Sequence, residues 1–195
     1  MNARRFFMAS AVEGAGLPVL SAGASPGAAR FRANEFPNPL LETHTGQRLR
    51  FYDDVVKGNK VLVFNMMYVS CRNICPPNTA SLLQVQKLLA DRMGRDVFFY
   101  SLTLQPDFDR PPDLQAYARR YGVGPGWTFL TGNRQGIDAI RRKLGFFDPD
   151  PNVDADLMQH TGMVRIGNHA LDRWMMMPSQ LTPAKLARSI AELAS

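Results

Sequence analysis

The chain has 195 residues, 45% of them hydrophobic and 21% charged, the balance of a folded protein rather than a disordered or low-complexity one. Two cysteines exclude a disulfide scaffold, and a formal net charge of +6 marks a mildly cationic surface. The length predicts one domain over residues 31–195, behind an export signal or disordered leader over residues 1–30.

The leader opens with the pair Arg4-Arg5, followed by Phe6, Phe7 and Met8. A stretch rich in Ala, Gly and Ser then ends in the small-residue run Ala22-Gly23-Ala24. That three-part layout resembles a twin-arginine export signal. Glu13, Pro18 and the glycines make residues 6–24 a poor membrane span. The expectation is an exported chain, either periplasmic or membrane-anchored facing the periplasm.

Residues 25–40 read as an irregular, proline-rich arm, and residues 43–51 as a short hairpin or edge strand. Residues 61–68 (Val-Leu-Val-Phe-Asn-Met-Met-Tyr) form a nearly unbroken apolar run of β-formers, which predicts a central strand buried on both faces. Leu82, Val85, Leu88, Leu89 and Met93 recur at helical spacing over residues 78–93. Pro76 and Pro77 suit only the start of that helix, so Cys71 and Cys75 fall at its N-terminal end. A second buried strand (96–103), a helix (113–121), a short strand (127–130) and a helix (136–144) follow. A hairpin is read from residues 161–166 and 171–176 around a turn at 167–169, and a last helix opens at Thr182-Pro183. This order predicts an α/β fold with a mixed central sheet flanked by helices.

The concentrated chemistry is the cysteine pair. It sits at a strand-to-helix turn on the carboxyl end of a strand, where such sheets bind ligands. Unpaired amide groups at a helix N-terminus favour thiolate over thiol. A thiolate is both the nucleophile of disulfide exchange and a soft ligand for copper. Spacing of four residues brings both sulfurs to one side of a turn. Structural zinc wants four protein ligands and the chain has two cysteines, so copper is the better match.

A third ligand must come from His44, His160 or His169. His44 and His169 read as exposed, whereas His160 precedes a β-run and can reach another strand-end loop. Two other readings of the pair stay open: a purely structural disulfide, or a thiol–disulfide oxidoreductase with Cys71 as the exposed attacking thiolate and Cys75 as the resolving thiol. The run Met175-Met176-Met177 reads as core filler, because alternation sends Met176 to the opposite face from its neighbours. Arg119-Arg120 and Arg141-Arg142-Lys143 read as solvated helix faces. The sequence contains no phosphate loop and no basic motif interleaved with aromatics, so nucleotide and nucleic-acid roles have no support.

Three pieces together resemble the Sco/SenC family over residues 34–194. They are Tyr68-Val69-Ser70-Cys71-Arg72-Asn73-Ile74-Cys75-Pro76-Pro77, the Ser-x-Thr-Leu-x-Pro-x-x-Asp stretch from Ser101 to Asp109, and Gln159-His160-Thr161 before a strand. Gln105 stands where that family often carries an acidic residue, with Asp107 and Asp109 nearby. The resemblance implies a thioredoxin-like fold with an added hairpin, and a copper-binding metallochaperone for the copper centre of cytochrome c oxidase. It also implies Cys71, Cys75 and His160 as ligands for Cu(I) or Cu(II), and in some members a disulfide-reductase role for the cysteines. The implied partner is the oxidase subunit carrying the copper centre, or another copper protein near the membrane, met by a monomer.

Overall fold

The computed structural model describes residues 36–157 and 162–193. The leader, and the segment 158–161 with His160, lie outside the described residues.

Strands β1 (Leu40–Thr43) and β2 (Arg48–Arg50) pair as an antiparallel hairpin, followed by a π-helical turn over Phe51–Val56. The hairpin is as expected, but its first strand begins inside what reads as an irregular arm. Leu41 explains the early start: it is fully buried beneath the sheet edge, so its backbone pairs with β5 (Trp127–Gly132).

The centre is β3 (Val61–Met67), β4 (Val97–Thr103) and β5, mutually parallel, with β6 (Met163–Asn168) antiparallel to β3 and β7 (Arg173–Pro178) closing that edge. The sheet has seven strands in the order β2-β1-β5-β4-β3-β6-β7. Every residue of β3 is buried, as its unbroken apolar run demands of a strand covered on both faces.

Alternation along β3 builds two cores. Val61, Val63 and Met67 face the side covered by α1 (Cys75–Leu88), α2 (Pro111–Tyr121) and α5 (Pro183–Glu192), meeting Leu82, Leu114 and Leu186. Leu62, Phe64 and Met66 face the side covered by α3 (Arg134–Leu144), meeting Ile137, Ile140 and Leu144. The methionine run obeys the same rule: Met175 and Met177 pack on the first core and Met176 on the second.

Several sequence expectations are corrected. Helix α1 stops at Leu88 instead of reaching Met93, because the chain turns through residues 89–94 to a Gly94 in the left-handed region (φ 77°). The turn joining β6 and β7 spans residues 169–172, two residues later than read. A five-residue helix α4 (Pro151–Ala155), capped by the Asp150 carboxylate, occupies what reads as loop. Arg141 is not solvated. It is buried and forked onto Asp154, with Nη1 at 2.5 Å from Oδ1 and Nη2 at 2.8 Å from Oδ2. His44 and His169 are half-buried instead of exposed. His44 Nδ1 accepts the Phe129 N–H, and His169 Nε2 lies 3.2 Å from the Tyr52 hydroxyl.

Candidate metal and thiol centre

The carboxyl end of β3 releases the chain at Tyr68 into a tight loop that re-enters α1 at Cys75. Pro76 and Pro77 occupy the first turn of α1, where a missing N–H costs no helical hydrogen bond. The Cys75 N–H, at the N-terminus of α1 where amides lack a helical acceptor, turns toward the Sγ of Cys71. It donates to that sulfur at 3.2 Å, and the nearby amides of Asn73 and Ile74 also favour its thiolate.

This arrangement makes the two thiols unequal, and neither is in a disulfide. Burial alone would raise Cys71, but the Cys75 thiol and the three amides outweigh it, and its pKa falls below the ordinary value. Burial pushes the Cys75 thiol well up, and the sulfur of Cys71 beside it pushes further. Cys71 therefore gives up its proton more readily than an ordinary thiol, and Cys75 holds its proton more tightly. The Tyr68 phenol stands against the same sulfur and is pushed up to about 12, first by burial and then by its hydrogen bond to Cys71.

Both cysteines are buried, with exposures of 7% and 2%, so the expectation of an exposed Cys71 is corrected. Hydrophobic β3 and α1 pull both side chains into the first core beside Val63, Leu82 and Val164.

Asp109 holds the loop from behind. Its carboxylate, only 4% exposed, accepts the Thr103 hydroxyl at 2.5 Å and the Val69 N–H at 3.0 Å. It thereby ties the end of β4 to the turn just before Cys71. Burial raises its pKa, and those two bonds partly offset the rise. Gln105 lies outside that tie and accepts from Ser70 Oγ at 3.3 Å, while Asp107 pairs with Arg134. The positioning role of Asp109 is not evident in the sequence; its signal is an acidic residue closing the Ser101–Asp109 stretch.

His160 lies outside the described residues, but both flanks of its segment are fixed. Leu157 packs on the core that contains Cys71 and Cys75. Gly162 lies against the first turn of α1, where a Cβ on it would stand 3.0 Å from Asn78 Nδ2. The Gly162 carbonyl accepts Ser179 N–H and Ser179 Oγ, both at 2.8 Å, and Ser179 Oγ lies 2.7 Å from Asn78 Oδ1.

The other two histidines are held elsewhere. His169 follows Asn168, which pairs with Val61 at the start of β3, about 20 Å of strand from the cysteine end. His44 follows Thr43 on β1, separated from β3 by β5 and β4, about 14 Å across the sheet. Among the described residues no three His, Cys, Asp or Glu side chains gather into a metal site.

Residues 40–195 match the family model described as SCO1/SenC. A SCO1 protein homolog from Bacillus subtilis is 35% identical over 77 residues, a match spanning 39% of this chain and 39% of that protein. Among solved structures, BsSco, described as a member of the Sco family of cytochrome c oxidase assembly proteins and as having a disulfide switch, superposes with a TM-score of 0.65. It is 22% identical and covers 82% of this chain and 93% of its own. ScoI from Bradyrhizobium japonicum, solved with copper bound, gives a TM-score of 0.62 at 19% identity, over 82% of this chain and 99% of its own. These superpositions assign the thioredoxin-like fold expected from the sequence.

Proposed function

Since the chain belongs to the SCO1/SenC family, we propose that it is a copper carrier serving assembly of the copper centre of cytochrome c oxidase, with Cys71, Cys75 and His160 as the copper ligands. The observation that carries this reading is the amide cradle around Cys71, with Cys75 one turn away on the same core. A cradle of N–H donors stabilises negative charge on sulfur, and thiolate sulfur is the donor that Cu(I) selects.

The His160 assignment is supported by chain reach. Gly162 is bonded to the Ser179–Asn78 network at the first turn of α1, and two residues span at most about 7 Å. Copper enters as cargo. Cys75 must give up its proton to bind, so uptake releases protons and tightens as pH rises. Two thiolates and one imidazole leave the ion short of a closed shell, which suits hand-over to a partner by ligand exchange. The copper-bound structure of a family relative supports the same cargo. Export to the periplasm, anchored or free, is part of this proposal and rests on the layout of residues 1–30; no helix among the described residues is long and apolar enough to cross a membrane.

The unequal thiols favour a second reading, a disulfide reductase. The Cys71 thiolate attacks one sulfur of a partner disulfide, forming a mixed disulfide and releasing the other partner sulfur as thiolate. Cys75 then attacks Cys71 Sγ, freeing the partner with two electrons gained and leaving a Cys71–Cys75 disulfide. The test is anaerobic Cu(I) titration against a competing chelator, for wild type, Cys71→Ser, Cys75→Ser and His160→Ala. A carrier binds about one equivalent and loses affinity at all three positions. Affinity that survives every substitution, alongside a mixed disulfide trapped on Cys71 in Cys75→Ser, leaves only the reductase.

A further inference from the structure

Where the second core meets the first, at the cysteine end of the sheet, lies a cavity of about 260 Å³. It is bounded by Phe146 of the second core, Leu157 of the first and Leu104, which packs on both, and is reached by Met66, Met163 and Met176 of the second. The three methionines come from neighbouring strands, and the register explains why they meet. Strands β3 and β6 pair through Asn65 and Val164, and one step further sets Met66 opposite Met163 on the same face. On β7, Arg165 pairs with Met176, two residues from the partner of Met163, so Met176 is its diagonal neighbour. Directly opposed side chains have Cβ atoms about 5 Å apart and diagonal ones about 7–8 Å, within reach of long side chains such as Met.

The local setting mixes thioethers with both signs of charge: Arg141 lines the cavity and Arg165 stands opposite Met176, against three carboxylates. Met66 is buried, and Met163 and Met176 are half-buried, so the thioethers border both core and cavity. Three carboxylate-bearing residues line the same cavity: Asp148, Asp154 and Asp156. Asp154 is neutralised by its fork with Arg141, while Asp148 and Asp156 stand exposed at the rim and lower the cost of bringing positive charge there. A thioether is neutral, cannot bind a proton near neutral pH, and prefers Cu(I) to zinc or to hard cations.

We propose that Met66, Met163 and Met176 form a second, thioether-only Cu(I) site, separate from the cysteine centre. It shares no ligand with Cys71, Cys75 or His160. Carrying no thiolate, it binds more weakly than the cysteine pair and without releasing protons.

The test uses the full chain with Cys71→Ser, Cys75→Ser and His160→Ala, so that only the second site can respond. Anaerobic Cu(I) is titrated against a chelator, with the methionine methyl carbons followed by NMR. Binding of about one equivalent is expected, with methyl shifts confined to Met66, Met163 and Met176. Adding Met66→Leu, Met163→Leu and Met176→Leu, which conserve volume, is expected to weaken binding at least tenfold. Met175→Leu, on the other face, is expected to leave it unchanged. The proposal is overturned if the thiol-free chain takes up no Cu(I), if the three leucines leave affinity unchanged, or if Met175→Leu weakens it equally. None of these outcomes depends on whether the cysteine centre carries copper.

Discussion

Replacing Asp154 with asparagine isolates one charge in the arm that leads from α4 toward the segment bearing His160. The Asp154 carboxylate accepts both Arg141 guanidinium nitrogens, Arg142 Nη2 at 3.0 Å and the Asp148 N–H at 3.0 Å. Its side chain is 7% exposed and that of Arg141 is 11% exposed, so solvent screens the pair little. These donors, the Arg141 hydrogen bonds first, hold the Asp154 pKa at about 2 against an ordinary 3.8. At about 1.4 kcal/mol per unit, that depression is worth about 2 kcal/mol of stability. Because the folded value is the lower one, the contribution is fully present above pH 3.8 and drains away as pH falls toward 2. Asparagine keeps one acceptor oxygen but no charge, so Asp154→Asn is expected to cost about 2 kcal/mol at neutral pH. Asp154→Ala, which strands a buried guanidinium, is expected to cost about 3–5 kcal/mol. Urea unfolding of wild type and Asp154→Asn across this range measures both quantities. The gap should be constant from neutral pH down to about pH 4 and close below it. A gap under about 0.5 kcal/mol, or one that does not narrow in acid, refutes the worth assigned to this fork.

Other consequences are more local. Iodoacetamide should alkylate Cys71 first, at a rate that rises through a pKa below that of an ordinary thiol, while Cys75 stays silent at neutral pH; mass spectrometry of quenched samples reads the order, and equal labelling would contradict the split. Asp109→Ala leaves the Val69 N–H and the Thr103 hydroxyl without their buried acceptor and should cost about 2–3 kcal/mol in urea melts, with Asp109→Asn costing less because it keeps an oxygen. If the two variants melt alike, the carboxylate does not tie the loop. Gly126→Ala should be strongly destabilising, since its φ is +79° and a Cβ would stand 2.4 Å from the Gly94 nitrogen.

Much of this architecture is legible in residue order because the hydrophobic periods are clean. The run from Val61 announces a strand buried on both faces, and Pro76-Pro77 can only open a helix, which together put the cysteines at the mouth of the sheet. Alternation alone separates Met176 from Met175 and Met177.

What escapes such reading is what tertiary contacts decide. Arg141 sits in a basic triplet that looks solvated, yet Asp154, thirteen residues on, draws it inside. Amide donors folded over Cys71 come from a loop whose geometry no periodicity reports, so its burial is missed while its acidity is anticipated. Met66 and Met163 join Met176 through strand register, which is invisible until the strands are paired.

X-ray absorption at the copper edge, on the reduced chain loaded with one equivalent of Cu(I), interrogates the cysteine centre atom by atom. Two sulfurs and one imidazole nitrogen per copper are expected, with the nitrogen lost in His160→Ala and a sulfur lost in each cysteine variant. A wild-type spectrum without the imidazole, or one that His160→Ala leaves unchanged, would contradict the ligand set on which the carrier function stands.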